Sequence, residues 1–441
     1  MTQDKIAAIL LAAGQGTRMR SRLPKVMHRL AGRPMILHLL AMLRDLEIDR
    51  SVVVVGPDME EVIKAVAPAA TVVQKDRLGT AHAVLQARGA LADFSGKVLV
   101  LYGDTPLVTS GTLRRMLDCP ADVVVLGFRP EDPAAYGRLV VGPEGLTAIV
   151  EYKDASPEQR AITLCNSGVM AISGAHLFSL LDRIGNDNAK GEYYLTDIVE
   201  VALKAGLKAG YVEGDAEEVL GVNSRADLAA AEAVLQRILR DKAMAGGATL
   251  TDPASVFLQC DTEIGQDVVI GPHVTFGPGV KIADDVDIKP FCHLEGVSIA
   301  AGASIGPFAR LRPGAEIGPG AHIGNFVEIK NARIEQGAKV NHLTYVGDAL
   351  VGAGANLGAG TITCNYDGFG KYRTEIGAGA FIGSNSALVA PVKIAERAIV
   401  GAGSVITKDV AEGALAVARG SQMELPGWAD RFRDQKKKKE S

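Results

Sequence analysis

Residues 10–25, LLAAGQGTRMRSRLPK, place two glycines, a threonine and several cations directly behind an apolar run. Backbone N–H groups opened by glycines can surround phosphate oxygens, and the ammonium of Lys25 can reach the same anion. Two familiar phosphate loops do not fit the letters. A Walker A loop needs Gly-Lys-Ser/Thr four residues after its first glycine, and a dinucleotide fingerprint needs a third glycine where Met19 stands. A secretory signal fits no better, because Asp4 precedes Lys5 and the apolar stretch ends at Ala13, so the chain is expected in the cytoplasm. The competing reading of this stretch is an ordinary strand-to-helix turn with solvated cations.

A second constellation lies in the C-terminal half. Arg312 and Lys330 are three six-residue repeats apart, each just after an aliphatic anchor, where most repeats carry glycine. Stacked on one edge, with Glu295 one coil below, two such cations repel unless an anion lies near them. Glu295 could neutralise one; a bound phosphate is the alternative. Glu328 and Tyr345 close repeats on an adjoining face, and His342 points outward nearby, so the set could join a general base to a phosphate-anchored substrate. A loop rich in Asn, Tyr and Gly, GAGTITCNYDGFGKYRTE (358–375), departs close to the same coils.

Other chemistry is thinly supported. The five cysteines form no CxxC pair, which argues for reduced thiols and against structural zinc. Cys364 has no partner pattern that would make it a nucleophile. The remaining histidines (28, 38, 82, 176, 273, 293, 322) show no metal-ligand spacing. A net charge of −4 with 22% charged residues gives no bias toward nucleic acid or an anionic membrane, and no apolar run approaches the ~20 residues that span a bilayer. The lysines at 436–439 read as a disordered, solvated tail.

The elements that must hold these residues fall into two regimes. Up to about Gly221, KIAAILLA, SVVVV, TVVQ, KVLVLYG and ADVVVLGF read as buried strands. Between them lie helices, among them Pro34–Leu46 and 58–66, the latter with an Asp58/Glu61 capping box. This alternation predicts a mostly parallel sheet with helices on both faces, and ligands bind beyond the carboxyl ends of such strands. The glycine loop and Asp104 both follow strands and should open onto one cleft. A connecting helix follows, capped by Ser224 and Asp227, with Leu228, Ala231, Leu235, Ile238 and Leu239 on one face and Gly246–Gly247 at its end. Past residue 255 aliphatic anchors recur every six residues: Ile264 to Leu294, Ile299 to Ile329, Ile334 to Val346, then Val351 and Leu357. The ladder breaks there and resumes from Ile376 to Ile406. Such a period is the signature of a parallel β-helix. The domains are thus 1–222, a linker helix 223–247, and 248–441.

The blocks LAAGQGTRM…PK, LGTAHA, YGDTPL, CNSGVM, GEYYLTD, GVNSR, RLRPGA, GNFVEIK, NHLTYVGD and GAGTITCNYDG together resemble the bacterial family of bifunctional N-acetylglucosamine-1-phosphate uridyltransferase/glucosamine-1-phosphate N-acetyltransferases. Gln15 stands where some members have lysine. The resemblance implies an α/β Rossmann-like nucleotidyltransferase domain followed by a left-handed parallel β-helix of hexapeptide repeats, assembled as a homotrimer acting on small molecules. No nucleic acid and no stable membrane anchor are expected. It implies that Leu11, Ala12, Ala13, Gly14, Gln74, Gly79 and Thr80 hold the uracil and ribose, that Tyr102 and Gly103 also contact UDP-N-acetylglucosamine, and that Arg18 and Lys25 face the phosphates. Gly137, Glu151, Asn166 and Thr196 would surround the amino sugar, and Asp104 and Asn223 would bind Mg²⁺, with UTP as co-substrate. In the second half it implies Arg312, Lys330, Tyr345 and Asn356 for glucosamine-1-phosphate and His342 as base, oriented or tuned by Glu328. Ala359, Asn365, Tyr366, Ser384, Ala402 and Arg419 would serve acetyl-CoA. The alternatives are a monofunctional sugar nucleotidyltransferase whose β-helix is regulatory or assembly-only, and an ADP-glucose or dTDP-glucose type pyrophosphorylase.

Overall fold

A computed structural model describes residues 5–133, 136–143, 145–188 and 191–440. The chain forms two compact units that divide between Ile238 and Leu239.

The first unit is built on a sheet whose strands run in the order Ala209–Glu213, Val123–Phe128, Cys165–Ser173, Lys97–Tyr102, Ile6–Leu11, Arg50–Val55, Ala70–Val73. All pair in parallel except Cys165–Ser173, which is antiparallel to both neighbours. Side chains alternate between faces along each strand. Ala7, Ile9, Val52, Val54, Val98 and Val100 enter one apolar layer, and Ala8, Leu10, Val53, Val55, Leu99 and Leu101 the other. Both faces are covered, which is why these strands read as unbroken aliphatic runs.

Local details differ from the sequence reading at three points. The expected Asp58/Glu61 capping box does not form: Asp58 has φ +59°, and the helix Glu60–Val66 starts after Met59 with no side-chain cap. The left-handed turn takes Asp58 out of the capping position. At the connecting helix, Arg225–Ala245, the box does form, with Ser224 Oγ accepting from Asp227 N (3.2 Å) and Asp227 Oδ2 accepting from Ser224 N (2.8 Å). On that helix Ile238 is exposed, since it falls off the stripe drawn by Ala231 and Leu235; Gln236 is buried instead.

The second unit is a parallel β-helix with three faces. One face is a ten-stranded sheet from Thr249–Leu250 to Leu415–Ala416. The other two are joined into one fourteen-stranded sheet, because Glu328–Ile334 and Tyr345–Val351 run continuously round a corner. Anchors stack on anchors in register: Ile264 on Ile282, Ile282 on Ile299, Leu294 on Leu311, Leu311 on Ile329. Apart from half-buried Ile264, the anchors fill one continuous apolar core. The ladder does not break after Leu357. Ile362–Cys364 continues it, with Thr363 turned inward where an aliphatic was expected, its hydroxyl accepting from Gly347 N (2.8 Å) and donating to Gly347 O (3.1 Å). The excursion from the coil is therefore confined to 365–373. At one corner His273, Phe291, Phe308 and Phe326, all with positive φ, stack ring on ring at 4.9, 4.9 and 5.1 Å. The tail expected to be disordered is a helix, Trp428–Glu440, solvated as far as its side chains are described. Stacking of Trp428 on Phe432 and a run of helix-forming residues hold it. Among the described residues no helix is long and apolar enough to cross a membrane.

Candidate functional sites

A cleft of about 1000 Å³ opens at the carboxyl ends of the central strands of the first unit. The glycine loop leaves the strand Ile6–Leu11 and forms one wall through Leu11, Ala12, Ala13 and Gly14. Gly16 sits at φ +61°, and a Cβ there would lie 2.6 Å from Lys25 Cβ, so the loop closes over Lys25 only because this residue is glycine. Gln74, Gly79 and Thr80 form the next wall; Gln74 Nε2 donates to Gly79 O (3.2 Å), and Thr80 Oγ1 accepts from Leu195 N (3.0 Å). Gly137, Glu151, Asn166 and Thr196 line the far side, where Asn166 N donates to Gly137 O (2.8 Å). Tyr102 stands on the floor, its phenol pushed up to about 12, chiefly by burial and against a hydrogen bond with Thr80. It remains a neutral hydroxyl. At Gly103 a Cβ would meet Val26 Cγ1 at 2.8 Å, so no side chain fits beneath the cleft.

The charged centre of this cleft is compact. Lys25 Nζ donates to Asp104 Oδ2 (2.5 Å) and to Asn223 Oδ1 (3.1 Å), with the two charged side chains 14% and 19% exposed. Val222 N donates to Asp104 O (2.8 Å), which brings Asn223 in from a distant part of the chain. Asp227 then fixes that segment by accepting from the backbone N–H groups of Asn223 and Ser224. Burial alone would push its carboxyl up, but those bonds and the nearby Arg18 charge hold it below the usual carboxylate range. Arg18, on the turn Thr17–Met19, is exposed and does not line the cleft. The ammonium between Asp104 and Asn223 shows that a carboxylate and an amide oxygen converge on one cation-sized position, a donor set that suits a hard divalent ion. No cluster of three or more His, Cys, Asp or Glu that could hold a metal occurs among the described residues. Sequence reasoning missed Arg77, whose Nε donates to Ala13 O (2.9 Å) and braces the glycine-loop wall. It lies outside the glycine motif and left no local signal.

On the β-helix the candidate residues form two groups. In the first, Glu295, Arg312, Lys330 and Gly347 stack in register on successive coils. Arg312 Nη1 donates to Glu328 Oε1 (2.7 Å); the neutralising carboxylate is thus Glu328, not Glu295. Lys330 keeps company with Lys371, a residue the sequence reading passed over inside the 365–373 excursion. The ammonium of Lys371, and then the Arg312 guanidinium, hold Lys330 below the usual lysine range. Tyr345 begins the strand beside them, paired with Glu328 and Ile362. Asn365 is buried and donates to Asp348 Oδ2 (2.5 Å), while Tyr366 is exposed on the excursion and donates to Gly368 O (2.7 Å).

The second group lies on the ten-stranded face. His342 is exposed and borders a groove of about 490 Å³ together with Asn325 and Phe326. Its Nδ1 is 2.6 Å from Asn325 Oδ1; with that oxygen accepting, Nδ1 carries the proton and Nε2 is the basic atom. Within one chain the ring is paired with Asn325, while Glu328 is occupied with Arg312 on the adjoining sheet. Asn356 follows on the same face, between Lys339 and Phe381. Beyond it the chain stacks Ala359, Ser384 and Ala402: Asn385 N donates to Ala359 O (2.8 Å), Gly403 N to Ser384 O (2.8 Å), and Arg419 Nη1 to Ala402 O (2.7 Å). Cys364 is a half-buried free thiol next to Asn365.

Comparison with known proteins agrees with both units. Residues 8–184 match the MobA-like NTP transferase domain, and residues 261–296, 296–331 and 373–408 match the bacterial transferase hexapeptide of six repeats. A bifunctional protein GlmU from Paramagnetospirillum magneticum is 66% identical over 446 residues, covering 100% of this chain and 99% of that protein. Its counterpart in Rhodospirillum rubrum is 65% identical over 97% of both chains, and that of Rhizorhabdus wittichii 62% identical over 100% and 99%. With end-to-end similarity at this level, the chain belongs to the family of bifunctional GlmU proteins.

Proposed function

We propose that the cleft and the prism edge are the two active sites of one enzyme that makes UDP-N-acetylglucosamine: acetyl transfer from acetyl-CoA to glucosamine-1-phosphate on the β-helix, then uridylyl transfer from UTP in the α/β unit. The observation that carries this reading is full-length membership of the GlmU family in a chain that has both a cleft centred on the Lys25–Asp104 ion pair and a prism with a cation cluster and an oriented imidazole.

In the cleft, the walls at Leu11–Gly14 and Gln74–Thr80 take uracil and ribose, and Gly137, Glu151, Asn166 and Thr196 take the amino sugar. Tyr102 and Gly103 form the floor beneath them. A phosphate oxygen of N-acetylglucosamine-1-phosphate attacks the α-phosphorus of UTP, and pyrophosphate leaves. Lys25 and Arg18 neutralise the phosphates, and alignment does most of the remaining work. Asp104 and Asn223 would hold Mg²⁺, which would supply further charge neutralisation.

On the prism, Arg312 and Lys330 grip the sugar phosphate, with Tyr345 and Asn356 placing the ring. His342 Nε2 accepts the proton of the attacking amine as its nitrogen bonds to the thioester carbon, and the C–S bond breaks to release CoA as the thiol. Ala359, Asn365, Tyr366, Ser384, Ala402 and Arg419 hold acetyl-CoA. The phosphate-binding cations and the base lie on different faces of one prism. A homotrimer, in which one copy's cations meet another's imidazole, brings them together. The enzyme works in the cytoplasm.

The test is a coupled assay with glucosamine-1-phosphate, acetyl-CoA, UTP and Mg²⁺, read as UDP-N-acetylglucosamine. Omitting acetyl-CoA should stop product formation, and supplying N-acetylglucosamine-1-phosphate should restore it. Product formed without acetyl-CoA, or none with all four components, refutes the reading.

A further inference from the structure

Asp348 occupies a corner of the prism at φ +47°, directly above Asn331 at φ +45°, in a column whose lower coils carry Gly296 and Gly314 with positive φ. The left-handed conformation favours glycine and tolerates Asp or Asn at a cost. Here the carboxylate is put to use. Its Oδ1 accepts from Asn331 Nδ2 (2.5 Å), and its Oδ2 accepts from Asn365 Nδ2 (2.5 Å). Burial would push this carboxyl up, but the two amides and the ammonium groups of Lys371 and Lys330 hold it below the usual range.

Asn365 is the hinge post of the excursion. Tyr372 N donates to its backbone oxygen (2.9 Å), closing the loop on itself, and the side chain is the part that ties the loop to the prism at Asp348. Because Nδ2 is committed to Asp348, the amide is held in one orientation, with Oδ1 as its acceptor atom. We infer that Asp348 is a positioning residue for acetyl transfer: it fixes the Asn365 amide with its carbonyl oxygen toward the substrate and keeps the excursion, with Lys371, against the Lys330 edge. This rests on the assignment of that edge to acetyl transfer. A charge-assisted hydrogen bond of this kind is stronger than a neutral one, so its loss should lower acetyl-transfer kcat/KM by about tenfold or more.

The experiment is a double-mutant cycle on the full-length enzyme with Asp348→Ala, Asn365→Ala and the pair, following thiol release from acetyl-CoA and, in the same preparations, pyrophosphate release from UTP. Asp348→Asn runs alongside and serves in place of the alanine variant if that fails to fold. If Asp348 acts through Asn365, the pair is no worse than Asn365→Ala alone, Asp348→Asn loses less than Asp348→Ala, and uridylyl transfer is unchanged. Multiplying losses in the pair, or wild-type acetyl transfer in Asp348→Ala, overturn the inference while leaving the acetyltransferase assignment standing. Wild-type acetyl transfer in Asn365→Ala overturns this inference and removes Asn365 from the site. No acetyl transfer in the unmutated chain overturns the assignment itself.

Discussion

Replacing Asp104 with asparagine keeps the side chain's shape and removes its charge at the centre of the cleft. Asp104 Oδ2 lies 2.5 Å from the Lys25 ammonium, and both side chains are less than one-fifth exposed. At an effective dielectric of ~20 this separation corresponds to about 6–7 kcal/mol of attraction to a unit positive charge. The amide oxygen recovers part of it and solvent at the open cleft screens part, so about half, ~3 kcal/mol, is the net loss. That is roughly a hundredfold in uridylyl-transfer kcat/KM, since each 1.36 kcal/mol is tenfold. The assay is pyrophosphate release from UTP and N-acetylglucosamine-1-phosphate across a Mg²⁺ titration, with acetyl transfer measured in the same sample. If the carboxylate holds Mg²⁺, added Mg²⁺ restores part of the rate; if it only anchors Lys25, it does not. Uridylyl transfer within twofold of wild type at every Mg²⁺ concentration refutes a role for Asp104.

His342→Ala should remove acetyl transfer and spare uridylyl transfer, and full turnover at neutral pH by thiol release from acetyl-CoA would return the imidazole to the status of a surface residue. Because Lys371 holds the Lys330 ammonium below its usual range, affinity for a sugar phosphate should weaken as pH rises through that lowered value. Lys371→Met relieves the repulsion and should move this alkaline loss to higher pH; a KM profile for glucosamine-1-phosphate that stays put or moves down contradicts it. Thr363→Val leaves the Gly347 N–H without its 2.8 Å acceptor inside the core. It should cost about 1–3 kcal/mol and lower the Tm of the β-helix by several degrees; an unchanged melting curve refutes the pairing.

The architecture was legible because both its signals are periodic. Unbroken aliphatic strands announce a sheet covered on two faces, and the six-residue anchors announce the coil, down to the one-residue short steps that the register accommodates. Reading failed where a polar residue took an apolar position for a local reason. Thr363 sits six residues past Leu357, on schedule, yet it was counted as a break because its hydroxyl has a backbone partner that only the folded coil supplies. Contacts between coils were visible for residues one rung apart, such as Arg312 and Lys330. They were invisible where they depend on side-chain reach, as with Arg312 choosing Glu328 over Glu295 and His342 choosing Asn325. Arg77 and Lys371 were missed because each enters its site from a loop with no period at all. Asp58 carried the letters of a cap, but the backbone turned it away.

Each rung of the β-helix touches only the rung before and the rung after, so the prism behaves as a stack that loosens from its ends. The rungs bearing Arg312, Lys330, His342 and Asn365 lie in its middle, with several turns on either side. Fraying from the N-terminal end must consume those outer turns before it reaches the working ones, and amide exchange should be slowest in the middle of the stack. The N-terminal turns, which carry none of the site residues, thus serve as sacrificial length against unravelling from that end, whereas Ser384, Ala402 and Arg419 lie on the turns nearest the other end.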